Sequence, residues 1–255
     1  MDLGLAGEAV IITGGSAGIG LATAHAFAAE GCALHLVARN ADRLEAAADD
    51  LRSRHGINVS AHPVDMADGA AVVRMIDACA DATVLVNNAG AAPSGSIETI
   101  DEATWRAAWD VKVFGTINAT RAMLRHMYAR KRGVIVNVMG GGVLSRYDYA
   151  CGTSGNAALH AFTAAVGSRS TDHGVRVVGI NPTSTRTERI FELARARARS
   201  RLGDEERWQE TLTNLPFGRL CEPEEVANMI VFAASARASY LSGTSINLDG
   251  GAPHR

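Results

Sequence analysis

The chain has 255 residues, a length that one large hydrophobic core can organise. Hydrophobic residues make up 47% and charged residues 20%, which excludes disorder, a collagen repeat and a coiled coil. The formal net charge of -2 argues against nucleic acid as a partner, because such binders need a basic surface to displace counterions from phosphates.

Short apolar runs of strand length alternate along the chain with longer stretches of helical period. EAVIIT (8–13), CALHLVA (32–38), INVSAHP (57–63), TVLVN (83–87), GVIVNV (133–138), VRVVGI (175–180) and SINLD (245–249) read as seven strands. Helices are expected to open near Gly18, Ala41, Asp68, Asp101, Cys151 and Pro223. The stretch 101–130 is long enough for two helices, divided near Val111. Residues 183–220 exceed a plain connection and are expected to form a substrate lobe. This alternation predicts an α/β fold of three layers, a doubly wound parallel sheet with helices on both faces and one domain over 1–255.

No apolar run approaches the roughly 18 residues of a membrane span, and the amino terminus has no basic leader region, so a cytoplasmic protein with no membrane partner is expected. Cys32, Cys79, Cys151 and Cys221 are too scattered for a CxxC pair. They are read as free thiols, and no metal is expected.

The first strand runs directly into TGGSAGIG (13–20), with the helix opening at its last glycines. Glycine there permits a tight turn and close backbone approach, while the helix amino end offers unpaired N–H groups to a pyrophosphate. Gly14, Ser16, Gly18, Ile19 and Gly20 are the residues of this turn expected to hold a dinucleotide. The spacing is TGxxxGxG, NNAG follows the fourth strand at 87–90, Asp65 follows the third, and INPTSTRT ends at Thr187. With the carboxyl-terminal PFGRLCEPEEV and YLSGTSINLDGG segments, the chain resembles the short-chain dehydrogenase/reductase (SDR) family over nearly its whole length.

That resemblance implies a Rossmann-type sheet, a nicotinamide cofactor, a small-molecule substrate and a homo-oligomer, usually a tetramer. It implies further that Asp65 and Met66 meet the adenine, that Asn88, Ala89 and Gly90 lie on the adenosine ribose side, and that Pro182 and Thr187 close on the cofactor, Thr187 at the nicotinamide or the phosphates. The second strand ends at Ala38 and Arg39 instead of an acidic residue. Arginine can bind a 2′-phosphate, so NADP(H) is favoured over NAD(H).

Similar enzymes use an asparagine, a serine, and a tyrosine and lysine in YxxxK. Matching the motifs puts Lys112 at the asparagine, Met139 or Gly140 at the serine, Gly152 at the tyrosine and Asn156 at the lysine; a shift of one gives Cys151 and Gly155 for the last two. Asn156 could still hydrogen-bond a cofactor ribose hydroxyl, but it carries no charge. A lysine about 4 Å from a phenol is worth roughly 4 kcal/mol at an effective dielectric of about 20, enough to lower a tyrosine pKa from about 10 toward neutrality.

Three readings follow from the resemblance and this apparent loss: an atypical oxidoreductase with a relocated proton donor, a non-catalytic cofactor-binding subunit of a hetero-oligomer with an active homologue, and a non-redox isomerase, cyclase or lyase. For the first, Lys112 and Tyr149 are the candidate pair, with Ser145 or Ser154 as hydrogen-bond partners. Glycines 140–142 leave room for a bulky substrate. In LARARARSRLGDEERW (193–208), Arg195 and Arg199 make one stripe and Arg197 and Arg201 another roughly opposite, so a solvated helix is expected. His160, within an apolar helix, reads as a core histidine.

Overall fold

The computed structural model describes residues 1–140 and 147–252; Gly141, Gly142 and Ser145 lie outside the described residues. Seven strands form one parallel sheet: β1 (Ala9–Thr13), β2 (Ala33–Ala38), β3 (Val59–Pro63), β4 (Val84–Asn87), β5 (Gly133–Val138), β6 (Val175–Pro182) and β7 (Ser245–Leu248). Their order is β3-β2-β1-β4-β5-β6-β7, so strand succession reverses between β1 and β4 and opens a crevice at the carboxyl ends there. β6 runs two residues past the expected end because β7 pairs with Asn181 and Pro182 as well.

Among the described residues, eight α-helices join these strands: α1 (Gly18–Ala29), α2 (Ala41–His55), α3 (Gly69–Ala78), α4 (Glu102–Trp109), α5 (Gly115–Arg130), α6 (Ala150–Ser170), α7 (Glu188–Leu202) and α8 (Pro223–Ala234). Both sheet faces are covered, as strands with almost continuous apolar runs require. Val10 and Ile12 of β1 face a core with Phe27 of α1, Leu44 and Leu51 of α2 and Ile230 of α8. Ile11, one residue out of phase, faces the other core, with Ile76 of α3 and Met123 and Met127 of α5. Among the described residues, no helix is long and apolar enough to cross a membrane.

The stretch 101–130 divides near Val111 as expected, and the chain stays helical there: Asp110–Phe114 form a π-helical turn between α4 and α5. The segment contains no proline, so one wide turn absorbs the change of phase. One expectation is corrected: the α7 arginines are not all solvated. Arg197 is buried, and both Arg197 (3.8 Å) and Arg201 (2.7 Å) reach Asp148, which stands two residues before α6 and lies beside α7. After α7, 3-10 turns at Glu205–Thr211 and Pro216–Gly218 complete the 183–220 segment, with Trp208 edge-on to Phe191 at 5.3 Å.

Candidate active site

The carboxyl ends of the strands border a cleft of about 1270 Å³, larger than the roughly 300–1000 Å³ of an ordinary small-molecule pocket. Gly14, Ser16, Gly18, Ile19, Arg39, Met66, Asn88, Ala89, Gly90, Pro182 and Thr187 all line it, and so does Lys112. The glycine turn is held from below. Thr13 Oγ1 accepts from the backbone N–H groups of Asn88 (2.9 Å) and Ala89 (3.0 Å), and Asn88 Nδ2 donates to Thr13 O at 3.0 Å. A Cβ on Gly14 would lie 2.8 Å from Asn88 Nδ2, at a backbone φ of 70°, so this cradle needs glycine.

Other expected residues stand elsewhere. Gly20 does not border the cleft: its Cβ would lie 2.1 Å from Gly14 O, so the missing side chain lets α1 approach the β1 turn. Asp65 is exposed beside the cleft, its carboxylate accepting from Ala67 N at 3.0 Å. Gly140, Tyr149, Gly152 and Asn156 are not among the described residues that border the cleft. Asn156 is buried, and its Oδ1 has no hydrogen-bond partner among the described residues. Its amide nitrogen sits 3.1 Å from where a Gly140 Cβ would be. Ser154 Oγ donates back to Ala150 O at 2.8 Å, a bond within its own helix. His160 is half-buried near Asn181, and burial lowers its pKa.

Lys112 borders the same cleft. It sits in the π turn, is 9% exposed, and donates from Nζ to the carbonyl of Met139 at the end of β5, 2.8 Å away. Gly90 lies against it; a Cβ there would come within 2.7 Å of Lys112 Cβ. Burial, with the neighbouring Arg189 cation, brings its ammonium pKa down to about 8. Tyr149 moves the opposite way, because burial raises its phenol pKa; Arg189 is the largest charge pulling it back. Lys112 acts on the Cys151 thiol, and Arg189 on both Lys112 and Tyr149.

Arg189 was not legible as a site residue. It opens α7 two residues after Thr187, lines the cleft, and donates to the Ala92 carbonyl and to Glu192. Arg43 was missed as well. It stands four residues after Arg39, in the first turn of α2, lines the cleft, and pairs with Glu188 at 3.1 Å. A second arginine so soon after the one that follows β2 was the available signal. With Arg186, the described residues give the cleft five cations, Arg39, Arg43, Lys112, Arg186 and Arg189, against the carboxylates of Glu188 and Glu192.

The residues fit a dinucleotide. α1 and α7 begin at the cleft with no side chain capping their first turns, whereas Asn40, Asp68 and Asp101 cap α2, α3 and α4. Uncapped N–H groups beside a glycine cradle and a cationic rim are a site for phosphate oxygens.

Comparison with known proteins agrees with this geometry. The sequence model of the family described as short chain dehydrogenase matches residues 8–197. The chain is 36% identical over 250 residues to a galactitol 2-dehydrogenase (L-tagatose-forming) of Cereibacter sphaeroides, covering 97% of this chain and 95% of that protein. It is 34% identical over 256 residues to a galactitol 2-dehydrogenase of Rhizobium johnstonii, covering 97% and 95%. The crystal structure of L-sorbose reductase from Gluconobacter frateurii, complexed with NADPH and L-sorbose, superimposes with a TM-score of 0.91 at 31% identity, covering 100% of both chains.

Proposed function

The chain belongs to the short chain dehydrogenase family, and we propose that it is an NADP(H)-dependent oxidoreductase interconverting a ketose-like ketone and the matching polyol, with Lys112 as its proton donor. The observation that carries the reading is Lys112 itself: a buried ammonium on the floor of the nucleotide cleft with its pKa brought to about 8. A general acid–base group works best with a pKa near the working pH.

The glycine turn and the free amino end of α1 would hold the pyrophosphate, and Arg39 with Arg43 a 2′-phosphate. When bound, the nicotinamide supplies or accepts the hydride. Lys112 Nζ gives a proton to the substrate oxygen in the reducing direction and takes it back in the oxidising one, while the Met139 carbonyl fixes the ammonium. Tyr149 and Asn156 do not border the cleft, so neither is given a contact with substrate or cofactor. Thr104, Arg189 and Glu192 line the cleft and offer donors and acceptors to a polyhydroxylated chain, a site chemistry that rejects compounds lacking those hydroxyls. The galactitol and L-sorbose enzymes among its relatives support this substrate class.

The test is turnover of purified protein with NADPH and ketoses such as L-sorbose and tagatose, and with NADP⁺ and polyols such as galactitol. Lys112→Ala is expected to lower kcat by about 100-fold or more while leaving NADPH affinity within a few-fold. An unchanged kcat removes Lys112 from the reaction. NADPH binding with no turnover on any polyol or ketose favours the cofactor-binding subunit, and copurification with an active homologue is then the next measurement.

A further inference from the structure

Cys79 is isolated in the sequence, yet the fold brings it against two histidines from neighbouring strands. Val37 of β2 pairs with His62 of β3, and His35 stands two residues before Val37, so both imidazoles leave the same face of the sheet. α3 covers that face and ends at Cys79. His35 Nδ1 lies 3.1 Å from His62 Nε2, and Cys79 Sγ lies 3.5 Å from the same His62 nitrogen. All three donor atoms fall within 4.8 Å of one another.

Zinc binds nitrogen at about 2.0–2.1 Å and thiolate sulfur at about 2.3 Å in a tetrahedron, so its N···N and N···S edges are about 3.4 and 3.5 Å. Two such edges already exist here. The other nitrogen of His35, Nε2, faces Asp81 Oδ1 at 3.7 Å, the place of the outer carboxylate that orients a ligating imidazole. His35 and His62 are half-buried toward the β3 edge of the sheet, which leaves a path from solvent, and Cys79 is buried beneath them. Two imidazoles and a thiol suit a borderline-soft ion and disfavour magnesium or calcium.

We propose that His35, His62 and Cys79 form a zinc site tying β2, β3 and α3 together, with water in the fourth position. Binding exchanges the thiol proton for the metal. The site lies four residues before Arg39 and four before Met66, so it braces the two strands whose carboxyl ends border the nucleotide cleft. It is independent of the reaction proposed above.

The experiment uses the full chain, freed of metal by a chelator and dialysed, then titrated with Zn²⁺ against a chromophoric chelator and separately with Co²⁺. The expected result is one Zn²⁺ per chain, a higher Tm, and a tetrahedral Co²⁺ spectrum with a thiolate-to-metal charge-transfer band. Cys79→Ser abolishes that band, His62→Gln lowers Zn²⁺ affinity by at least about 10-fold, and Asp81→Asn by about 10-fold. His25 and His55, 3.2 Å apart beside Asp50 and without a thiol, are the internal control: His55→Gln leaves stoichiometry and spectrum unchanged. A wild-type Co²⁺ spectrum without the charge-transfer band overturns the proposal, whatever the folding of the variants. So does Zn²⁺ binding that Cys79→Ser and His62→Gln, folded by circular dichroism, leave intact.

Discussion

The Tyr149 ring occupies the space into which a side chain at position 152 would grow: a Cβ on Gly152 would lie 2.1 Å from Tyr149 Cζ and 2.6 Å from its hydroxyl oxygen. Glycine at 152 and the seat of this phenol are therefore one structural fact. The ring comes from three residues upstream, at the amino end of α6, and is held with its phenol near the Ala92 backbone.

Gly152→Ala is accordingly expected to expel the ring and to cost about 1–3 kcal/mol of stability, read as a lower denaturant midpoint. Adding Tyr149→Ala should remove the clash, so that the double variant is less destabilised than the sum of the two single ones. Strict additivity would show that the ring and the glycine are not coupled.

Lys112 carries a pH signature in stability. Its folded pKa of about 8 lies below its unfolded value of 10.5, so between the two the unfolded chain binds more protons. Stability tied to this group is lowest below about pH 8, where the cation stays buried, and recovers as pH rises toward 10.5. Measured as the difference between wild type and Lys112→Met, the gain should amount to roughly 3 kcal/mol at most across that window. A flat difference would mean that Lys112 titrates as an exposed lysine does.

With Lys112 as the proposed proton donor, turnover should carry a pH profile. Reduction needs the protonated ammonium and should fall as pH rises through about 8, whereas oxidation needs the free amine and should rise over the same range. Initial rates in both directions from pH 6 to 10 check this, and parallel profiles count against Lys112 as the proton donor.

Arg39 and Arg43 should separate the two cofactors. Each substitution to alanine is expected to weaken NADPH by about 10- to 100-fold, the loss of one charge-assisted hydrogen bond, and to leave NADH nearly unchanged. Nicotinamide fluorescence titrations with both cofactors measure it, and equal losses for the two would deny these arginines a role at the 2′-phosphate.

The sequence by itself determined the seven strands, the starts of α1, α2, α3, α4, α6 and α8 to within a residue, and the glycine turn, because strand period, Asn and Asp caps and glycine freedom act over a few neighbouring residues. It also raised Lys112 and Tyr149 as candidates, since motif matching needs no coordinates. Only the tertiary structure decided that Lys112 is buried against the end of β5, that Tyr149 lies over Gly152, that Arg189 reaches the cleft from α7, and that Cys79 meets His35 and His62. Those relations join residues brought together by strand order and helix packing. The pKa of a lysine or the donor set of a metal depends on such neighbours in space and on the water they exclude, and neighbours in the chain do not specify either.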